Sequence, residues 1–250
     1  MIKFFRKIRK QLLGEGKTAR YFKYALGEIL LVMIGILLAL QVNNWNQNRQ
    51  EKKLITNYYQ RIHEELITTI KVLSRYGESI DGVIKANKRS LTILNMKNRD
   101  SLGQLEVTIG ALATAYAFDA SMPLTEEFIN EGNLSKIENE DIKTQFQFLG
   151  NNLTRSKSFD DYMENQYALS IEPYFYDKIN YANVAIGFHK RGLVLGGPQT
   201  DYQQFYDDME LWNLLTFKLE TLNSHIRLIN RFEYNVKTLD SLILKELNNK

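Results

Sequence analysis

YALGEILLVMIGILLALQV, residues 24–42, is a nearly unbroken apolar run holding a single acid, Glu28. At about 1.5 Å of rise per residue, a helix of this length reaches across a bilayer's hydrocarbon core of about 30 Å. The run therefore predicts a transmembrane helix, and it parts the chain into a tail, residues 1–23, and a large remainder, residues 43–250. The tail holds eight Lys and Arg against Glu15 alone, a charge of +7, whereas residues 43–250 hold 24 basic and 27 acidic residues, a charge of −3. This bias predicts a cytoplasmic N-terminus, with the bulk of the chain on the other side of a bacterial inner membrane, in the periplasm. The residues that follow, QVNNWNQNRQEKK (41–53), offer no small-x-small cleavage site, so the run is expected to stay as a signal anchor.

Both flanks fit an interface. In the tail Ile2, Phe5, Ile8 and Leu12 recur at helical spacing with basic residues between them, which predicts an amphipathic helix in the headgroup layer, ended by Gly14-Glu15-Gly16. Tyr21 and Tyr24 on one side and Trp45 on the other are placed as interfacial aromatic anchors. Within the span, Glu28, Val32, Gly35 and Ala39 fall on one helix face at steps of four, three and four. Gly35-x-x-x-Ala39 is a small-xxx-small pair that lets a second helix approach closely, with Glu28 as polar glue. Glu28 also lies about one turn from the cytoplasmic boundary, where it can snorkel or pair with Lys23 or Arg20. An ion path is disfavoured, because one span supplies no second helix to line it.

This stretch carries a resemblance. GEILLVMIGILLALQVNNWN (27–46), preceded by FRKIR (5–9), resembles the N-terminal signature of a Bacteroidota family of small single-pass inner-membrane proteins, catalogued as a domain of unknown function. The likeness continues more weakly through FINEGNLSKIENEDIK (128–143) and LILKEL (242–247). It implies an integral membrane protein and transfers no catalytic residue.

Beyond the membrane the pattern stays helical. Ile55, Tyr59, Ile62, Leu66, Ile70, Leu73, Ile80, Ile84, Leu91 and Leu94 keep mostly three- and four-residue steps, with no proline before Pro123. One long helix, or two collinear ones weakened at Gly77 and Gly82, is predicted over residues 22–96. A second stripe runs through Met209, Trp212, Leu215, Leu219, Leu222, Ile226, Ile229, Val236, Leu239 and Leu242, with Asp201 as its N-cap. The two stretches match in length, so an all-α fold is expected, in which the N-terminal helix continues into an elongated antiparallel bundle of coiled-coil character. Between them the spacing predicts a helix over 101–118 capped by Ser101, another over 124–131 ended by Gly132, and a third over 139–172 stopped by Pro173. Residues 181–200 hold four glycines and a proline, and a short hairpin pairing 184–186 with 193–195 is open to them.

The chemistry expected of the chain is binding and not catalysis. There is no cysteine, and the residue three before each of His63, His189 and His225 is Gln60, Ile186 and Leu222, so the Glu-x-x-His pairs of a di-iron bundle are missing. Zinc-protease, calcium-loop, phosphate-loop and dinucleotide motifs are missing too. Neither cofactor nor metal is expected. The acids Glu126, Glu127, Glu131, Glu138, Glu140 and Asp141 lack the alternation of a cation loop and read as helix-start charges. A mildly acidic bulk argues against nucleic acid. Tyrosines and phenylalanines gather around residues 162–188, which at helical spacing reads as core. The alternative is a partner-binding or sugar-stacking surface, with Tyr174, Tyr176, Tyr181 and His189 as its candidate residues. The expected partners are the lipid bilayer and another membrane or envelope protein or a second copy; the expected role is a scaffold or complex subunit, alternatively a ligand sensor acting through a membrane partner.

Overall fold

In a computed structural model of the chain, residues 18–114 and 121–249 are described. The amphipathic tail helix lies outside them, as do residues 115–118 and the side chains of Tyr21, Tyr24 and Phe188. Among the described residues all regular structure is helical. The chain divides into two compact units, Met1–Thr56 and Asn57–Lys250. One helix, α1 (Thr18–Met96), belongs partly to each and runs unbroken through Gly77 and Gly82.

In the first unit, α1 carries the apolar run with none of it buried. Leu30, Leu31, Val32, Ile34, Leu37 and Leu38 all expose much of their side chains. By length and composition this is a helix able to cross a membrane. A water-facing helix of a globular protein would show a polar face here, and this one does not.

In the second unit, three long helices form a bundle: residues 57–96 of α1, α4 (Glu140–Gln166) and α8 (Met209–Asn248). Paired residues fix their directions. His63 meets Asp240, Tyr76 meets His225, Gly77 faces Ile226 and Lys97 pairs with Asp207, so α1 and α8 run antiparallel. Asn139 with Glu246, Asn152 with Asn235, Phe159 with His225 and Gln166 with Thr221 show α4 also antiparallel to α8. Hence α1 and α4 are parallel, and the chain must travel back along the bundle between them. It does so from Thr108, whose hydroxyl meets Ser90, to α3 (Pro123–Asn130), which packs beside Tyr58 and Glu65.

The core follows the seams of these helices. On α1 the buried side chains include Ile62, Leu66, Thr69, Leu73, Ile80, Val83, Asn87, Ser90 and Leu94; on α4 they include Ile142, Phe146, Leu149, Leu153, Ser156 and Met163. These are steps of three, four or seven, the spacing that keeps one stripe facing a partner helix. Each fully buried Leu or Ile contributes about 1.5–3 kcal/mol by leaving water. A second cluster at the Met96 end joins Ile93, Leu105, Ile109, Phe175, Val184 and Phe205. There Gly110 is required: a Cβ on it would lie 1.8 Å from the Val184 carbonyl oxygen.

The short elements depart from expectation for local reasons. Ser101 makes no side-chain cap bond, and α2 (Leu102–Thr108) instead follows a 3-10 turn capped by Asn98. Pro173 does not stop the third helix: a π turn, Tyr167–Ile171, precedes α5 (Glu172–Lys178), which carries Pro173 in its first turn. A proline ring clashes with the carbonyl four residues back, and the wider π turn relieves that clash. Asp201 caps only a 3-10 turn, Tyr202–Asp207, and the last long helix begins at Met209 under a cap from Asp208, whose Oδ1 accepts from the Leu211 N–H at 2.9 Å. No hairpin forms: α6 (Tyr181–Val184) and α7 (Gly187–Lys190) are helical turns, and Val194 is 92% exposed.

Candidate functional site

Two places in the second unit gather chemistry. The first lies on the buried seam of α8, which reads Leu211, Leu215, Lys218, Leu222, His225, Ile229, Phe232, Val236, Leu239 and Ile243 at alternating steps of four and three. Lys218 and His225 thus occupy core positions one heptad apart, and both are wholly buried. The His225 ring sits between Tyr76, 5.5 Å away edge to face, and Phe159, 4.7 Å away. Near the same level the other helices also place polar groups inward: Asn87 and Ser90 from α1, Ser156 and Gln166 from α4. Among the described residues Lys218 Nζ, both His225 nitrogens, Asn87 Oδ1, Ser156 Oγ and Gln166 Oε1 have no hydrogen-bond partner.

That environment opposes charge. Burial pushes the Lys218 ammonium down to about 8. The imidazole of His225 falls to about 4, chiefly through burial and further through the positive charge of Lys218. At neutral pH the histidine is therefore neutral beside a buried cation. A proton taken up or released here changes the charge buried in the core, so protonation of the pair is coupled to the stability of the bundle. A reading of apolar residues alone missed it, choosing Met209, Trp212, Leu219 and Ile226; counting four-three steps from Leu211 would have landed on Lys218 and His225.

The second place is a cleft of about 320 Å³ where α1 ends and α8 begins. Leu94 and Phe205 form its buried floor, and Met209 and Trp212 form an apolar wall, 70% and 38% exposed. Asn95, Lys97 and Asp207 supply its polar groups, the last two as an ion pair. Lys97 takes a φ of +49°, the left-handed conformation that closes α1, with its N–H bonded to the Ile93 carbonyl. Glycine is the usual residue there, and a lysine costs about 1 kcal/mol. A larger groove of about 630 Å³ lies between α3 and α4, lined by Ile129, Leu134, Gln147, Asn151 and Thr154 above Phe146.

The acid-rich segment has structural employment. Tyr58 donates its hydroxyl toward Glu127 at 2.7 Å and Glu131 at 2.9 Å, which raises its ionisation well above the usual range. Glu126 pairs with Lys157 at 3.5 Å, and Asn139 caps α4 by accepting from the N–H groups of Asp141 and Ile142. Among the described residues no three His, Asp or Glu side chains converge.

Of the residues singled out from the sequence, Val32, Gly35 and Ala39 lie exposed on α1, and a Cβ on Gly35 would meet nothing within 4 Å. Glu28 is half-exposed and has an interaction partner. Trp45 is 64% exposed with the Arg49 guanidinium 5.8 Å over its ring. Tyr174 is a correction: it is buried, and its hydroxyl donates to Asp208 Oδ2 at 2.9 Å, bracing the cap of α8 from the core and offering no surface. Tyr181 is half-buried against the same cluster, while Tyr176 is exposed and donates to Glu172 at 2.7 Å. His189 is exposed on α7 and has a partner of its own. The aromatic gathering is thus mainly core, and the structure does not bring the four candidates together as one surface. Compared with protein-family models, with curated proteins and with solved structures, the chain matches none.

Proposed function

We propose that this chain is a single-pass, signal-anchored membrane protein whose helical bundle stands outside the cytoplasm and acts by binding, as a scaffold or a subunit of an envelope complex. The observation that supports this reading is the apolar part of α1, exposed on every side over a length that matches a bilayer. The +7 tail orients it with its N-terminus in the cytoplasm. The proposal includes a helix-packing face on Glu28, Val32, Gly35 and Ala39, used by a membrane partner or a second copy.

Crosslinking in intact cells, followed by purification in mild detergent and mass spectrometry, tests it. A stoichiometric partner, or a self-crosslinked dimer, is expected. Gly35→Ile is expected to reduce that crosslink several-fold, because a branched side chain holds a second backbone away; an unchanged yield removes the packing face from the proposal.

A second reading, a bundle that senses a small ligand, is favoured by the Trp212 cleft, whose size and mixture of apolar wall with few polar groups are those of a ligand pocket.

A further inference from the structure

We infer that the cleft between the end of α1 and the start of α8 binds a single neutral sugar ring, stacked on Trp212. This deepens the ligand-binding reading above and rests on it, though not on the chain's orientation in a membrane.

Three ionic side chains line the cleft: Lys97, Asp207 and Asp208. Lys97 and Asp207 neutralise each other. Asp208 is spent, Oδ1 accepting from the Leu211 N–H and Oδ2 from the Tyr174 hydroxyl, both at 2.9 Å. One cation against two carboxylates leaves a net charge of −1, which disfavours anions, while the hydrogen bonds on both Asp208 oxygens leave no bare carboxylate to hold a cation. The Tyr206 hydroxyl is also engaged, donating to the Asn98 carbonyl at 2.9 Å.

What faces the cleft is then an apolar wall with a mixed polar rim. Trp212 and Met209 present a surface of the kind that covers the C–H face of a pyranose, and an indole supplies a large rigid platform. The Asn95 amide, the Lys97 ammonium and the Asp207 carboxylate together offer donors and acceptors in close order. A sugar hydroxyl is both donor and acceptor, so a neutral polyol satisfies such a rim where an ion does not. A volume of about 320 Å³ stands at the lower end of ligand-pocket size, room for one ring and not for a chain.

The backbone points the same way. Lys97 is the only non-glycine among the described residues with positive φ. A position that favours glycine or asparagine is held by a residue whose long side chain reaches the cleft's rim, and departures from local preference gather at binding sites.

The chain contains two tryptophans, Trp45 and Trp212, which makes the test direct. In the full-length Trp45→Phe protein, held in a detergent without a sugar head group, Trp212 is the sole indole. Glucose, galactose, mannose and N-acetylglucosamine are titrated to tens of millimolar, with tetramethylammonium and acetate as charged probes. The expected result is a saturable change in Trp212 emission, with protection from acrylamide, for at least one sugar and for neither ion. Asn95→Ala, at an exposed site that leaves the core untouched, is expected to weaken that affinity about tenfold. The inference is overturned if no sugar gives a saturable change, if either ion gives the stronger one, or if Asn95→Ala binds as well as its parent. Loss of sugar binding leaves the crosslinking result standing, and failure to crosslink leaves this titration standing, so the two readings fail separately.

Discussion

Lys218 holds an ammonium group in the middle of the bundle with no hydrogen-bond acceptor among the described residues. Its downward shift to about 8 from an ordinary 10.5 means that burial disfavours the charged form by about 3 kcal/mol. Removing the charge while keeping the stem should therefore help: Lys218→Met is expected to raise stability by about 2–3 kcal/mol at neutral pH, read from the urea midpoint at unchanged slope. His225 acts in the opposite pH range. Its folded value of about 4 lies below the ordinary 6.5, so the unfolded chain binds the extra proton first. Stability is then full above about pH 6.5 and is lost as pH falls toward 4, by up to about 3 kcal/mol. His225→Phe is expected to flatten that acid limb in denaturation curves measured from pH 7 to 4; a limb equally steep in the variant assigns acid sensitivity to other groups. Polar residues on a packed seam also fix register, because a slipped pairing would strand them against apolar neighbours.

One helix start in this protein is capped by a residue far away in sequence. The carboxylate of Glu65, on α1, accepts from the N–H groups of Leu124 and Thr125 and from the Thr125 hydroxyl at 2.7–3.0 Å, capping α3 from another helix. Replacing it with alanine leaves two backbone donors and a hydroxyl unpaired in a half-buried place. Glu65→Ala is expected to cost about 1–3 kcal/mol and to raise hydrogen exchange in α3 before the long helices respond. The caps at Asn139 and Asp208 are local, each accepting from the first turn of its own helix, and such caps are legible as Asn or Asp before a periodic run. The Glu65 cap had no signature in the chain, since it depends on α3 folding back beside α1. Pro173 illustrates the same limit: a proline announces a disturbed helix, but whether the disturbance is an end or a π turn depends on what packs around it.

For the molecule as a whole, the proposed topology makes a sharp statement about compartments. Alkaline phosphatase fused at the C-terminus is expected to be active, and a green fluorescent protein fused there to be dark; the opposite pattern places the bundle in the cytoplasm and reverses the orientation drawn from the tail. The binding roles proposed for the chain rest on two surfaces in different units, the exposed apolar run and the Trp212 cleft, so each can be altered without touching the other.

An apolar helix long enough to cross a membrane, the all-helical character and the antiparallel pairing of the first and last long helices were legible from residues alone. They depend on hydropathy and on spacing along a single helix, which are properties of neighbours in the chain. For the aromatics around residues 162–188 both core and surface were open, and Tyr174 is core, because Asp208 satisfies its polar tip. Lys218 and His225 carry no apolar signal in the chain, because a charge ordinarily seeks water; the packing of the helices places them inside. The cleft likewise exists because Met96 and Met209, far apart in the chain, end and begin helices at the same end of the bundle. Local order followed from local sequence, whereas burial, capping and cavities waited on which distant segments came together.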